Sequence, residues 1–93
     1  MFEILYHYLV IREDIPRISK LWREKIRTAI EDRLTTKPDL YGKPLRRSLK
    51  GYRKLRVGDY RIIFKINEGK VKILIIQHRS LIYSDVKKRK FNF

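Results

Sequence analysis

The chain has 93 residues, 43% of them hydrophobic, and carries 24 Lys and Arg against 10 Asp and Glu, a formal charge of +14. That length bounds the fold to one small domain, 1–93, with a modest core. The lack of cysteine excludes a disulfide framework and a thiolate metal site and fits a reducing, cytoplasmic compartment. No run approaches the roughly 18 apolar residues of a transmembrane helix, and the first ten residues lack the pattern of a signal peptide.

In chain order, residues 2–9, "FEILYHYL", read as a strand. A helical turn over 11–17 is interrupted by Pro16. Ser19 is an N-cap residue type, and Trp22, Ile26, Ala29, Ile30 and Leu34 follow with helical spacing, predicting a helix over 19–35. Pro38 disfavours a helical conformation at Lys37 and so ends it, and "DLYGKP" reads as a loop. Four β-type runs come next: 45–49, 52–57, 60–66 and 71–77, separated by turns at Lys50-Gly51, Gly58-Asp59 and 67–70. Short connections make such neighbours antiparallel. Residues 80–89 form a short helix or a frayed end, with the basic "KKRKFNF" the one tail-like stretch. The expected architecture is an α+β domain: an N-terminal strand, a helical hairpin, then an antiparallel meander with helices packed on one sheet face.

The charge has few places to go in so small a fold. It attracts polyanions: nucleic acid, an anionic membrane surface or an acidic partner protein. In "YRKLRVGDYRIIFKI" (52–66), a two-residue Gly-Asp turn sets Val57 opposite Tyr60 and Arg56 opposite Arg61. Like charges facing each other destabilise a strand pair, so either a bound anion relieves them or both side chains splay into water. Alternation puts Leu55, Val57, Tyr60, Ile62, Phe64 and Ile66 on the face toward the 19–35 helix. Tyr52, Lys54, Arg56, Arg61 and Lys65 fall on the opposite face, where a positive surface is expected. After the last strand, "HRSLIY" (78–83) offers an imidazole, a guanidinium and a phenol within six residues. No GxxxxGK[ST] or GxGxxG phosphate loop occurs, and the acidic residues cluster mostly on the helical side. Phosphoryl chemistry, if present, would fall to cations and a Tyr or His, with no metal or other cofactor expected.

The run "YGKPLRRSLKGYRKLRVGDYRIIFKI" followed by "IIQHRSLIY" resembles the RelE branch of the RelE/ParE toxins of toxin–antitoxin systems, and the order of elements matches over nearly the whole chain. The resemblance implies a small endoribonuclease that cuts mRNA in the ribosomal A site and inhibits translation. It also implies a cognate antitoxin that wraps and neutralises it. The family's functional positions fall on Lys54, Arg56, Arg61, Arg79 and Tyr83. Tyr83 is then the expected base toward a 2′-hydroxyl, since neighbouring cations favour a phenolate. Lys54, Arg56 and Arg61, extended by Lys65, are expected to hold RNA phosphates; Arg79 is expected at the leaving oxygen, with His78 as a rival acid or base. Gln77 or His78 stands where some members carry a second terminal basic residue. ParE-type relatives act instead on DNA gyrase, and a non-cleaving RNA-binding protein is the remaining alternative; neither a membrane nor a small-molecule cofactor is implied.

Overall fold

The computed structural model describes residues 1–89; residues 90–93, the end of the basic tail, lie outside the described residues. Five strands form one sheet in the order β1-β5-β4-β3-β2, with β1 Glu3–Tyr6, β2 Lys43–Pro44, β3 Arg53–Val57, β4 Tyr60–Asn67 and β5 Lys70–His78. Strands β2 to β5 pair antiparallel, and β1 pairs parallel to β5, so the sheet is mixed. The parallel pairing follows from the connection: the chain leaves β1, crosses one face as helix, and enters the far edge at β2 before meandering back.

The 19–35 helix forms as α1, Lys20–Ala29, and continues as a widened turn through Leu34. The Ser19 hydroxyl accepts from the Trp22 N–H at 3.5 Å, as an N-cap should. Residues 10–17 are two short irregular helical turns, the second beginning at Ile15 just before Pro16. Three expectations about elements are corrected. The 2–9 run is a strand only over Glu3–Tyr6, and Tyr8 and Leu9 are already helical. The 45–49 run is not a strand: Arg47–Leu49 is a 3-10 turn that buries Leu49. The "DLYGKP" stretch is not a plain loop: it spans most of α2, Pro38–Tyr41, and the edge strand β2. Gly42 accounts for the close approach there, since a Cβ would lie 2.3 Å from the Phe64 ring. Arg53 reinforces it by donating to the carbonyls of Asp39 (3.1 Å) and Gly42 (2.8 Å).

Helices cover both faces of the sheet, where one had been expected. Ile26, Ala29, Ile30 and Leu34 pack on Leu55, Ile62, Phe64, Val71, Ile73 and Ile76 on the first face. The 80–89 segment forms α3, Ile82–Arg89, and lays Ile82 and Val86 on Leu49, Ile63, Leu74 and Ile75 on the second. A strand buried on both faces reads as a continuous apolar run rather than an alternation, and β5 does, from Val71 to Ile76 apart from Lys72. A bulge makes this work: Ile63 pairs with Ile75 but Phe64 with Ile73, so Leu74 is extra and both Leu74 and Ile75 serve the α3 side.

Strand β1 stops at Tyr6, paired with Ile73, which leaves the outer edge of β5 without a strand beyond that point. Asp14 closes it. Its fully buried carboxylate accepts from the Ile76 N–H at 2.9 Å, from Gln77 Nε2 at 3.4 Å and from Arg89 Nη1 at 2.6 Å. Arg89 also reaches the Leu74 carbonyl at 3.4 Å, so the last residue described in α3 is bolted to the bulge. Removing one member of a buried ion pair strands the other and typically costs about 3–5 kcal/mol. Arg89→Ala should lose stability on that scale in urea unfolding. An unchanged midpoint would mean the pair does not anchor α3.

Candidate active site

The Gly58-Asp59 turn forms as expected. Gly58 has φ +60° and Asp59 is not in the positive-φ region, the pattern of a type II′ turn with Gly first. It sets Arg56 opposite Arg61 and Lys54 opposite Ile63, so all three cations share the α3 face. That face also receives Lys43, which pairs with Lys54 across β2–β3. Lys43 was missed because its stretch reads as a loop; its one sequence signal is the basic residue just before Pro44. Two like-charged cross-strand pairs therefore sit side by side.

Helix α3 begins over this surface. Lys54 Nζ donates to the Tyr83 hydroxyl at 2.9 Å and lies 5.6 Å from its ring centroid. Tyr83 is exposed and its oxygen is within a substrate's reach. Tyr52 contrasts with it: burial pushes its phenol above the ordinary value of 10.0, which keeps it protonated.

Arg61 is half-buried and bent back on the turn: Nη1 donates to the carbonyls of Gly58 and Tyr60, each at 2.9 Å. Those two bonds use both Nη1 hydrogens and leave the Nε–Nη2 edge to grip a phosphate bidentately. Arg56 extends into solvent, and none of the described hydrogen bonds or ion pairs engages it. The facing pair is thus relieved in part by carbonyl dipoles and in part by splaying. Arg79 is tied to the same turn. Its backbone N–H donates to the Asp59 carbonyl at 2.8 Å, and its Nε lies 3.8 Å from the Asp59 carboxylate, both side chains well exposed.

Two candidates fall away from this group. Lys65 pairs with Lys72 and stands 5.7 Å from the Tyr52 ring, four residues along β4 from Arg61, or about 13 Å at the usual strand rise. It shares the face but not the site. His78 lies on the other face, opposite Tyr60, with ring centroids 5.9 Å apart. Its Nδ1 accepts from the Ser80 N–H at 3.1 Å and meets the Ser80 hydroxyl at 2.8 Å. The bulge is the reason: it shifts the parity of β5 by one, which turns His78 toward α1 and puts Gln77 opposite Arg61 instead.

Among the described residues no group of three or more His, Cys, Asp or Glu side chains could hold a metal ion, and no helix is long and apolar enough to cross a membrane. An apolar groove of about 540 Å³ lies on the α1 side, floored by Ile18, Ile26, Ile30 and Ile76. Its rim mixes Lys20, Arg23 and Arg27 with Glu24 and Glu31, so it does not concentrate positive charge as the α3 face does.

Like charges directly opposite cost a fraction of a kcal/mol, about 0.2–1 on the scale of cross-strand pairs. Arg56→Gln should therefore raise the melting temperature at low salt. The gain should shrink near 1 M salt, where screening acts within about 3 Å. A lower melting temperature, or a gain indifferent to salt, would show that the pair is not strained.

Comparison with known proteins agrees with this fold. The family described as the ParE toxin of type II toxin–antitoxin system, parDE, matches residues 2–83. Toxin RelE of Mycobacterium tuberculosis is 42% identical over 52 residues, a match spanning 54% of each chain, so only about half of that relative's length is covered. The toxin–antitoxin complex RelBE2 of M. tuberculosis contains a chain that superposes with a TM-score of 0.78 at 27% identity, covering 85% of this chain and 92% of that one. The RelB–RelE complex of Methanococcus jannaschii shares the fold, with a TM-score of 0.69 at 22% identity over 87% and 96% of the two chains. The chain belongs to the ParE toxin family of type II toxin–antitoxin systems, on the RelE branch of the RelE/ParE superfamily.

Proposed function

We propose that this toxin is a ribosome-dependent mRNA endoribonuclease that works without a metal ion and is neutralised by a cognate acidic antitoxin. The observation that carries the proposal is the Lys54–Tyr83 hydrogen bond of 2.9 Å beside the facing Arg56 and Arg61. The 2′-oxygen attacks the adjacent phosphorus, the P–O5′ bond breaks, and the products are a 2′,3′-cyclic phosphate and a 5′-hydroxyl. Tyr83 is assigned to take the 2′ proton. Lys54 Nζ donates to that same phenol oxygen. Arg56 and the free edge of Arg61 stabilise the charge that grows on the phosphorane oxygens. Arg79 is assigned to stabilise the charge on the leaving 5′-oxygen, which takes its proton from water, and Lys43 to RNA phosphate on the approach. His78, facing the other way, has no part in the proposed mechanism.

The open geometry supports dependence on the ribosome. Arg56, Arg79 and Tyr83 are exposed side chains on a surface, which cannot by itself bend an RNA strand into line for attack. A ribosome presenting the codon would impose that conformation. The antitoxin proposal rests on the +14 charge, which needs a counter-surface, and on the toxin–antitoxin complexes among the structural neighbours.

A second reading, a toxin directed at DNA gyrase, is favoured by the ParE description of the matching family. The two separate on Arg61→Ala and Tyr83→Phe. Loss of a preorganised donor to a transition state costs about 2.7–4 kcal/mol, or about 10²–10³ in rate. Both variants should melt close to wild type and cleave mRNA on ribosomes slower by that order. Wild-type cleavage by a folded variant would remove that residue from the mechanism. Undiminished toxicity without cleavage would move the assignment to gyrase.

A further inference from the structure

The Gly58-Asp59 turn is the common support of Arg61 and Arg79. Arg61 Nη1 is held by the Gly58 and Tyr60 carbonyls, and the Arg79 backbone is held by the Asp59 carbonyl. Both turn residues are exposed, and a two-residue hairpin tip is ordinarily among the first parts of a sheet to move. Something has to fix it. The opposite side of the turn rests on an aromatic ring from another element.

We infer that Trp22, which lies outside the cation surface, is a positioning residue: by seating the Gly58-Asp59 turn from the α1 side it fixes where Arg61 and Arg79 present their guanidiniums on the other. A Cβ at Gly58 would fall 2.4 Å from Trp22 Cη2 and 2.6 Å from Cζ3, so the indole edge lies directly on the Gly58 backbone. The same ring packs against Tyr60, the residue that closes the turn, with centroids 5.6 Å apart. The Trp22 backbone N–H meets the helix-capping Ser19 hydroxyl, and Lys25 Nζ lies 4.7 Å over its ring. The path to the site is short: indole, turn backbone, two arginines. It also gives Gly58 a double constraint, a positive φ and a space that no side chain can enter, so the glycine and the tryptophan specify each other.

The inference rests on the nuclease reading for its effect on rate but not for its effect on geometry, and the experiment separates the two. The full chain is prepared as wild type, Trp22→Phe, Trp22→Leu and Gly58→Asn, the last placing a side chain where the indole edge lies while keeping the indole itself. Side-chain Nε–Hε resonances of Arg61 and Arg79 are recorded by ¹⁵N NMR, and cleavage of mRNA on programmed ribosomes is followed under single-turnover conditions. In Trp22→Leu and Gly58→Asn both resonances should move to the position of free arginine, and Trp22→Phe should retain the wild-type positions. Misplacement of a reacting group by about 1 Å costs about 10²-fold, so the maximal rate should fall about 10–100-fold in the two disruptive variants. The half-saturating concentration should change less than about threefold, since Lys43, Lys54 and Arg56 remain. The double variant Trp22→Leu with Gly58→Asn should lose no more than either single one, as for two ends of one contact. Unmoved arginine resonances in either folded disruptive variant would overturn the inference, as would a wild-type cleavage rate in either of them when the wild type cuts RNA. If the wild type cuts no RNA, the nuclease reading fails, and the resonances alone decide whether Trp22 positions the arginines.

Discussion

The placement of α3, and with it Tyr83, on the positive face depends on how the unpaired edge of β5 is closed. Beyond Ile73 the strand has no neighbour on the β1 side, and an exposed edge must be covered or paired. Asp14 meets this need with one carboxylate. It takes the Ile76 N–H as a strand would, and its charge is matched by Arg89 from α3. A buried charge survives only when paired and hydrogen-bonded, so the edge closure and the docking of α3 are one structural event. The helix held in this way crosses the sheet and delivers Tyr83, its second residue, to Lys54 at the other side. The candidate base is therefore positioned by an ion pair at the far end of its own helix.

The cation surface illustrates a second constraint. A two-residue turn leaves no freedom in register, so Arg56 must face Arg61 and Lys43 must face Lys54 once β2 has paired. The fold tolerates this by giving Arg61 two carbonyl partners and letting Arg56 reach into water. Neither device neutralises the charge; both keep it available to a phosphate. Tyr83 and Tyr52 show how the same face sorts identical side chains, one exposed against an ammonium, the other drawn into the second core with its phenol shifted up by burial. Local environment, not residue type, separates the exposed phenol from the half-buried one.

Much of this was legible in the residues. The Gly-Asp turn fixes register, register fixes parity, and parity collects Lys54, Arg56 and Arg61 without any tertiary information. Helix α1 announces itself through its cap and apolar spacing. What escaped the sequence needed long-range facts. The bulge at Leu74 is invisible in a run of apolar residues, yet it decides that Gln77 and not His78 meets the α3 face. The β2 pairing, and with it Lys43, depends on Arg53 gathering carbonyls from a segment eleven to fourteen residues away. Asp14 and Arg89 are 75 positions apart, and nothing local marks either as buried. The one available clue was the apolar run in β5: a strand with no polar face requires cover on both sides, and the 80–89 segment was free to supply it.

The central claim is that this surface directs a 2′-oxygen onto the neighbouring phosphorus. The most direct test is to present the purified toxin with ribosomes programmed by a message carrying a single 2′-deoxynucleotide at the mapped scissile position, and to determine the chemistry of the ends formed on the all-ribose message. The ribose message should be cut to a 2′,3′-cyclic phosphate and a 5′-hydroxyl, and the 2′-deoxy message should stay intact at that position. Cleavage of the 2′-deoxy site, or ends bearing a 5′-phosphate, would contradict the account.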